Sequence, residues 1–556
     1  MLLKFCPKIE TKDYFCRYKM RDMKKSRVIL TVILLLIAVQ VSAQSDAFKL
    51  GKSLDIQYSI LKEVSNSYVD TIKFDKFIKI GIDAMLESLD PYTVYIPEEN
   101  EEKLRLMTTG TYGGIGAIIK KKTNGGVIIS EPYEGSPAAK SGLLPGDQII
   151  EIDGISVIGE TSQQSTDKMK GQPGTNVKFK VVRGRSGDTL DVVVIRERIH
   201  ISDIEYAGMI RDSIGYIKIS GFTAKMSKEL RDNVLNLKAK GAKRLVLDLR
   251  GNGGGLMEEA TDMVSLFVPK GTLVVSSKGR VSTMNQEIFT TEYPIDTLIP
   301  LMVMVNSGSA SSSEIVAGAL QDLDRATIAG KRTFGKGLIQ SIQPVAYNGK
   351  IKVTTGKYYT PSGRCVQAID YSQRNEDGSV GSIPDSLIRE FKTKKGRSVY
   401  DGGGIAPDIE TETHLYSRPT VSLFYNDIIG DYAIEYFKKH SAIVKTEDFY
   451  LTDTDYENFV KYADGCEFDY RSSVQTQIDQ MIKSAKLDGI YDTCKKEIDA
   501  LASKIDMDKE TMLKIKKSEI KPLIEEEIVV KYYFRKEGSI IGLRDDSQLY
   551  EALDKW

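Results

Sequence analysis

Two short segments of the chain carry side chains whose types and spacing could do chemistry together. The first is a serine-rich stretch that lies between the apolar runs Ile299–Val305 and Ile315–Leu320. The earlier run is typical of a buried parallel strand, and the later run predicts the buried face of a helix. A serine at such a junction presents its hydroxyl on a sharp turn, beside N–H groups of the first helical turn that lack internal partners. These N–H groups, at the positive end of the helix dipole, suit a developing oxyanion.

The second segment supplies a candidate base. The histidines of the chain are His200, His414 and His440, and none lies in a motif-like setting, so nothing supports a Ser-His-Asp triad. Lys336, between two glycines, is the better candidate. A lysine base must be neutral, which requires burial to lower its pKa from about 10.4 to roughly 7–8. If the chain is extended from Lys336 to Gln340, both side chains lie on one face and Gln340 can hold the amine in place.

Together the two segments resemble a known motif. They read Ser-Ala-Ser-Ser-Ser-Glu at 309–314 and Phe-Gly-Lys-Gly-x-x-Gln at 334–340. This pattern resembles the Ser/Lys carboxy-terminal processing peptidases, also called tail-specific proteases, and the resemblance extends over residues 65–410. It implies that Ser311 is the nucleophile, Lys336 the base and Gln340 the residue that orients the lysine. Ser312 stands where the family usually has alanine, which matters little if the position contributes only its backbone N–H.

A glycine-rich loop lies upstream of the serine. The predicted strand Leu245–Arg250 runs into Gly251-Asn252-Gly253-Gly254-Gly255 and a predicted helix, Leu256–Phe267. A phosphate-binding loop is excluded, because the G-x-G-x-x-G spacing fails in both registers. The processing peptidases carry the same loop, and the resemblance implies that one of its glycine N–H groups forms the oxyanion hole with the N–H of Ser312. Counting along the motif favours Gly255, with Gly254 as the alternative.

Lys336 also lies at the end of a P-loop-like spacing, Gly330–Lys336. Gly337 occupies the place of the Mg²⁺-binding Ser/Thr, and the continuation Ser341–Val345 predicts an extended segment where a P-loop has a helix. No nucleotide, metal or other cofactor is therefore expected.

A second module precedes these segments. Tyr112–Gly116, Gly135–Leu143 and Pro145–Gly154 together resemble a PDZ domain. Consecutive N–H groups in a glycine loop make a nest for a terminal carboxylate, and an extended peptide can add to the neighbouring strand edge. The predicted carboxylate-binding residues are Gly113, Gly114, Ile115 and Gly116. A simple hairpin is the alternative for this loop. Leu89–Pro97, just upstream, also resembles a family segment and is predicted to act in packing.

The N-terminus predicts export. A basic segment, Met23–Arg27, precedes the apolar stretch Val28–Val39 and small residues that end at Ala43. This pattern is typical of a cleavable signal peptide, with Met23 as a second candidate start, and an uncleaved membrane anchor is the alternative. The family resemblance places such a protein in the periplasm. Three cysteines follow the predicted cleavage site, Cys365, Cys466 and Cys494. Their spacing fits neither a disulfide framework nor a zinc site, and they are predicted to be buried free thiols.

The resulting fold class is α/β and multidomain, with a PDZ domain placed before a crotonase-like ββα peptidase core and with helical N- and C-terminal regions. The predicted segments are 1–43 (signal peptide), 44–108 (helical), 109–199 (PDZ domain), 200–414 (Ser/Lys peptidase core) and 415–556 (mainly helical).

The implied function is a secreted serine endopeptidase that selects proteins by their C-termini. Its partners are protein or peptide substrates with accessible C-termini, and an adaptor protein and a homo-oligomer are left open. Lys+Arg 77 against Asp+Glu 77 gives no net charge, so nothing indicates nucleic acid as a partner. The alternatives are an inactive PDZ scaffold or substrate-binding protein, which should have lost one of the three site residues, and an acyl-CoA enzyme, which would not need a Ser/Lys pair. For any one serine of 307–313, a purely structural role is the alternative.

Overall fold

The computed structural model describes residues 46–121, 126–211, 213–413 and 415–556. The chain divides into two compact units, Met1–Met85 and Leu86–Trp556, and each is described by itself. The predicted signal peptide and His414 lie outside the described residues. Within the described ranges, no helix is both long enough and apolar enough to cross a membrane.

The first unit is helical. Its elements are α1 (46–67) and most of α2 (Phe74–Glu87). Apolar side chains of both helices, including Leu54, Ile60 and Ile80, are exposed, and no residue of α2 is buried. These helices therefore form no hydrophobic core of their own.

The second unit begins with a loop, strand β1 (Val94–Ile96) and helix α3 (Glu101–Thr109). An antiparallel module follows, in the segment predicted to be a PDZ domain. Its elements in chain order are β2 (Thr111–Gly114), β3 (Ala117–Lys121), β4 (Val127–Pro132), α4 (Pro137–Lys140), β5 (Gln148–Ile152), β6 (Ile155–Ser156), α5 (Ser162–Met169), β7 (Asn176–Val182), β8 (Thr189–Ile195) and β9 (Glu197–His200).

The sheet of this module has the strand order β3-β4-β5-β7-β8, with β6 paired to β5, while β2 pairs with β9. Alternate residues of β7 point inward, so that Val177, Phe179 and Val181 are buried. This alternation is what a sheet with one face on a core requires.

The next segment contains the two reactive stretches. Its elements are β10 (Ile204–Ile210), β11 (Ile214–Ile219), α6 (Met226–Ala239), β12 (Arg244–Asp248), α7 (Met257–Ser265), β13 (Leu273–Gly279), β14 (Gln286–Phe289), β15 (Leu301–Val305), α8 (Ser312–Asp322), β16 (Thr327–Gly330), β17 (Leu338–Pro344), β18 (Lys350–Tyr359), β19 (Ile369–Arg374), β20 (Val380–Ser382), β21 (Glu390–Lys392), β22 (Ser398–Tyr400) and β23 (Ile409–Glu410).

The central sheet has the order β10-β11-β12-β15-β16-β23 and is parallel except for the antiparallel pair β10–β11. Every residue of β15 is buried, as expected for a parallel strand covered on both faces. Asp248 at the end of β12 lies opposite Met304 near the end of β15. The two loops that follow these strands therefore leave the same edge of the sheet side by side.

A second, antiparallel sheet has the order β1-β18-β13-β14, with β17 also paired to β18. Strand β1 pairs with β18 from Val94 to Ile96, opposite Lys352 to Lys350. This pairing fastens the loop before β1 to the strand pair that follows Lys336.

The C-terminal region is helical, as predicted. It contains α9 (Arg418–Tyr425), α10 (Ile428–Lys439), α11 (Asp453–Asp464), α12 (Ser473–Leu487), α13 (Tyr491–Ile505), α14 (Lys509–Ile515), α15 (Lys517–Arg544) and α16 (Ser547–Lys555).

Phe534 interrupts α15 with φ 67° and ψ 173°. Beyond this kink, Arg535 pairs with the buried Glu131 of β4 at 2.6 Å, and Lys120 of β3 pairs with Asp427 at 2.8 Å. The helical region is thus joined to the antiparallel module by ion pairs.

The described elements agree with most of the sequence expectations. The strand before the serines, the helix after them and the extended segment after Lys336 are confirmed. The helix after the glycine loop is shorter than predicted, Met257–Ser265. The three cysteines are free but only half-buried, so the prediction of buried thiols is wrong in that respect.

Candidate active site

Ser311 lies where the predicted junction places it, at the residue immediately before helix α8. Its backbone has φ 56° and ψ −113°, a conformation that non-glycine residues seldom adopt. Such strain persists where the surrounding structure holds it and is found preferentially at functional sites. The Ser311 carbonyl accepts hydrogen bonds from Glu314 N and Ile315 N, at 2.8 and 2.9 Å. The side chain is half-buried.

The neighbouring serines have structural roles. The hydroxyl of Ser309 donates to Leu249 O, that of Ser312 to Gly255 O and that of Ser313 to Asn252 O, at 2.7 to 2.9 Å. All three are buried, and Ser307 is exposed in the loop. In the described part of the chain, no carbonyl accepts a hydrogen bond from the Ser311 hydroxyl. Among the described serines at 309–313, Ser311 is therefore the one whose side chain is not fully buried and whose hydroxyl donates to no carbonyl.

A buried carboxylate joins Ser311 to Lys336. One oxygen of Glu314, Oε2, accepts from the backbone N–H groups of Ser311 and Lys336, at 2.9 and 2.8 Å. Its other oxygen accepts from Gly335 N and the Thr333 hydroxyl, at 2.7 and 2.6 Å. Burial raises the pKa of Glu314, and these donors oppose the rise. Because one oxygen atom serves both backbones, the two segments are held against each other.

Tyr358 of β18 adds a second connection. Its hydroxyl lies 3.1 Å from Ser311 O and 2.8 Å from Lys336 O, within donating distance of both carbonyls. The ring is buried, and burial raises the pKa of the hydroxyl, which therefore remains a donor. Glu314 and Tyr358 thus bind the N–H and the C=O of the same two residues.

Lys336 has a perturbed amine. Burial lowers its pKa from 10.5 to about 8, assisted by the like charge of Lys352 and opposed by Asp90 and Glu314. A value near 8 leaves part of the lysine neutral at working pH, which a general base requires. The amine nitrogen lies 4.1 Å from the centre of the Tyr92 ring.

Gln340 is placed differently from the simplest expectation. Strand β17 begins at Leu338, two residues after Lys336, and the Gln340 amide donates to the Thr354 hydroxyl at 3.3 Å. Among the described residues, no hydrogen bond joins Gln340 to Lys336. The predicted orienting role of Gln340 stays a prediction.

The glycine loop lies against the nucleophile. Asn252 anchors it, since its amide donates to Ile219 O and its Oδ1 accepts from Gly254 N, each at 2.9 Å. Gly254 has φ +98°, and a Cβ there would lie 2.8 Å from Ser311 Cβ and 2.9 Å from Ser312 N. Only glycine permits this approach.

Two candidate oxyanion donors remain free beside Ser311. Within the described residues, neither Gly255 N–H nor Ser312 N–H donates a hydrogen bond, whereas Gly254 N–H is committed to Asn252. Gly255 follows Gly254, where an added Cβ would collide with Ser311, and Ser312 begins α8. Unpaired N–H groups close to a nucleophile can stabilise the negative charge of a tetrahedral intermediate. This arrangement favours Gly255 over Gly254 as the loop donor.

The predicted carboxylate loop of the antiparallel module is more enclosed than expected. Gly113 and Gly114 belong to β2 and pair with Arg198 and Glu197, and all four residues of 113–116 are buried. The carbonyls of Ile115 and Gly116 accept from Ala138 N and Tyr133 N, each at 2.9 Å. Strand pairing thus occupies the first half of the segment, and the carboxylate-binding role of residues 113–116 stays a prediction. Ile115 and Gly116 form the turn that remains.

Three features of the site were not predicted from the sequence. Glu314 is the last residue of the motif at 309–314. An acidic residue beside the predicted buried face of a helix could have indicated a role in the site. Tyr92 lies in the segment Leu89–Pro97 that resembles the family, but the contacts that Tyr92 and Tyr358 make in the site depend on tertiary packing and could not be predicted. In the ranges that the structure covers, no group of three His, Cys, Asp or Glu side chains could hold a metal ion.

Comparison with known protein families gives three matches along the chain. Residues 213–373 match the model of peptidase family S41, and residues 113–194 match the PDZ domain. Residues 419–555 match the C-terminal helical domain described as that of a probable PDZ-protease. The helical region thus has a family model of its own, which the sequence motifs did not indicate.

Known proteins resemble the chain over much of its length. A carboxy-terminal-processing protease of Bartonella bacilliformis is 35% identical over 370 residues, which cover 65% of this chain and 81% of that protein. The carboxy-terminal processing protease CtpA of Bacillus subtilis is 34% identical over 306 residues, 55% of this chain and 65% of that protein. A solved photosystem II D1 C-terminal processing protease is 26% identical, with 64% of this chain and 86% of that chain covered and a TM-score of 0.33.

Proposed function

The chain belongs to peptidase family S41, as a carboxy-terminal processing serine peptidase with a PDZ domain, and we propose that Ser311 and Lys336 are its catalytic dyad. The observation that carries the proposal is the single Glu314 oxygen that binds the backbone N–H of both residues. The lowered pKa of Lys336 and the free N–H groups of Ser312 and Gly255 support it.

The first half of the reaction is acyl transfer to Ser311. Neutral Lys336 takes the proton of the Ser311 hydroxyl while the oxygen attacks the scissile carbonyl carbon. The carbonyl oxygen becomes an oxyanion, which accepts hydrogen bonds from Ser312 N–H and Gly255 N–H. When the C–N bond breaks, the Lys336 ammonium returns the proton to the leaving amine. The products are an ester on Ser311 and the C-terminal fragment with a free amine.

The second half releases the N-terminal fragment. Lys336, neutral again, takes a proton from a water molecule that attacks the ester carbon, and the same two N–H groups bind the second oxyanion. Collapse of this intermediate frees the fragment as a carboxylic acid, and the proton on Lys336 passes to Ser311. No cofactor enters either half.

The dyad is tested by substitution with matched controls. Ser311→Ala and Lys336→Ala should each reduce kcat by at least about a thousandfold, as expected when a nucleophile or its base is removed. Ser307→Ala and Lys331→Ala change neighbouring residues of the same types outside the contacts of the site and should retain activity. Circular dichroism and thermal melting of all four variants establish that they fold.

Near-normal activity of Lys336→Ala would contradict the dyad and require another base. Labelling with a serine-reactive probe, followed by mapping of the modified peptide, gives a second readout. The label should lie on Ser311 and be absent from the Ser311→Ala variant.

Substrate selection is proposed to depend on the PDZ domain. A polypeptide has one α-carboxylate, at its end, and the turn at Ile115 and Gly116 lies immediately before β3, an edge strand of its sheet, where an extended peptide could add. Binding of the terminus there would hold a nearby stretch of the same chain at high effective concentration for cleavage. Substrates with an apolar, disordered C-terminus are therefore expected to be cut.

Selection is tested by comparing one peptide as the free acid and as the C-terminal amide. The amide should bind more weakly and be cleaved with a lower kcat/KM. Equal cleavage of the two forms would mean that the turn does not recognise the carboxylate.

We also propose that the chain is exported and processed after Ala43, to act in the periplasm. The proposal rests on the sequence pattern at 23–43 alone. N-terminal sequencing of the protein from cell fractions tests it. Residues 28–39 still attached to a membrane-bound protein would favour the anchored alternative.

A further inference from the structure

We infer that Tyr92, in the loop that precedes β1, is a positioning residue for the amine of Lys336. The inference rests on the proposed role of Lys336 as the base and adds the group that holds it. Upstream of the PDZ domain, this loop was expected only to pack. In the structure its aromatic ring is the neighbour of the reactive nitrogen.

The contact itself is a cation–π arrangement. Lys336 Nζ lies 4.1 Å from the ring centroid of Tyr92, well inside the distance of about 6 Å at which a ring attracts an ammonium group. In the described part of the chain, no hydrogen bond or ion pair is formed by Lys336 Nζ. The Gln340 amide donates to Thr354 instead, so the contact that the described residues show for the amine nitrogen is the Tyr92 ring.

The loop holds the ring in place from both ends. The buried carboxylate of Asp90 accepts from the N–H groups of Tyr92 and Thr93, each at 2.8 Å, and from the Thr93 hydroxyl at 3.0 Å. The Tyr92 hydroxyl lies 3.4 Å from that of Tyr371, and the two rings meet edge to face with centroids 6.0 Å apart. Thr93 also accepts from Thr354 N, which fastens the loop to β18.

The charges around the amine define what the ring does. Lys352 of β18 lowers the pKa of Lys336, while Asp90 of the loop and Glu314 of α8 raise it, and burial is the largest influence. Tyr92 is itself held neutral, because burial raises the pKa of its hydroxyl. Its ring face attracts the ammonium form and not the neutral amine. The ring therefore opposes the effect of burial and keeps the pKa of Lys336 from falling further.

The test measures the Lys336 amine directly. In the full chain with Ser311→Ala, acetylation by acetic anhydride is followed against pH, and the peptide that contains Lys336 is quantified by mass spectrometry. Only the neutral amine reacts, so the midpoint of the profile reports the pKa. Tyr92→Leu removes the ring but keeps an apolar side chain, whereas Tyr92→Phe keeps the ring and serves as its matched control.

We expect Tyr92→Leu to lower the midpoint by about half a pH unit to one unit relative to Tyr92→Phe, because the ammonium loses its ring partner. Equal midpoints for the two variants would overturn the inference. If Tyr92→Leu fails to fold, Tyr92→Met, which is also apolar and ring-free, takes its place.

Kinetics with Ser311 intact separate the inference from the proposed function. If the acid limb of kcat/KM moves with the acetylation midpoint, both stand. If the acetylation midpoint moves and the acid limb does not, Tyr92 holds the amine but Lys336 is not the base, which overturns the proposed function alone.

Discussion

At the scale of single residues, protonation of Lys336 should decide the pH range of activity. The folded-state pKa is lowered to about 8, so the lysine is mostly protonated below that pH and mostly neutral above it. A base must be neutral, and kcat/KM should therefore rise through about pH 8 and level off above it. A profile that rises only near the ordinary lysine pKa, about 10.4, would contradict a buried base.

Removing one neighbouring charge tests the pKa of Lys336 without changing Lys336 itself. Lys352 lowers the pKa of Lys336 by like-charge repulsion, so Lys352→Gln should move the acid limb to higher pH. Lys357→Gln removes an exposed lysine of the same strand that is not among the charges acting on Lys336, and should leave the limb in place. Rate profiles of the two variants against the unaltered chain provide the measurement.

The Glu314 carboxylate is a further residue-scale target. In Glu314→Gln an NH2 group replaces one oxygen, and two of the four donors lose their acceptor. Each unpaired buried donor costs about 1–3 kcal/mol. We expect lower thermal stability and a fall in kcat of at least about tenfold. Glu410→Gln, at an exposed carboxylate that pairs with Lys331, is the control, and equal behaviour of the two variants would refute a bridging role.

At the scale of elements, two adjacent glycines of the loop, Gly253 and Gly254, should respond differently to substitution by alanine. Gly254→Ala should reduce kcat about a hundredfold or more, because its Cβ would collide with Ser311 and displace the oxyanion donors. Gly253→Ala meets no atom within 4 Å and has no left-handed φ, so it should keep most of the activity. Steady-state kinetics of the pair suffices, and similar losses in both would place the oxyanion hole elsewhere.

The secondary-structure elements around the site could be predicted from the sequence, whereas contacts between distant segments could not. The strand and helix around Ser311 follow from runs of apolar residues, and Lys336 follows from the scarcity of histidine and from the family motif. The shared use of Glu314 and the ring of Tyr92 could not be foreseen, because both depend on contacts between segments far apart in the chain. The same limit applied to 113–116, where a glycine pattern predicts a loop and pairing with β9 makes half of it a strand.

At the scale of the whole molecule, ion pairs join the helical region to the PDZ domain. Arg535 lies just beyond the kink of α15 and neutralises the buried Glu131 of β4. Arg535→Ala would leave that carboxylate unpaired, and we expect faster amide hydrogen exchange in β4. Lys536→Ala, at the exposed neighbouring position, is the control. Unchanged exchange in the Arg535 variant would mean that the contact does not hold the domain.

The parallel pairing of β12 with β15 also constrains how this protein can vary in length. The oxyanion loop and the nucleophile leave adjacent strand ends, so their spacing is fixed by the number of residues in 249–254 and 306–310. Deleting one residue from either connection would draw one partner back by about 3.3 Å, more than a hydrogen bond tolerates. The exposed hairpin turn at 375–379 touches none of the residues of the site. Insertions and deletions between related sequences should therefore accumulate at the hairpin and be absent from the two connections.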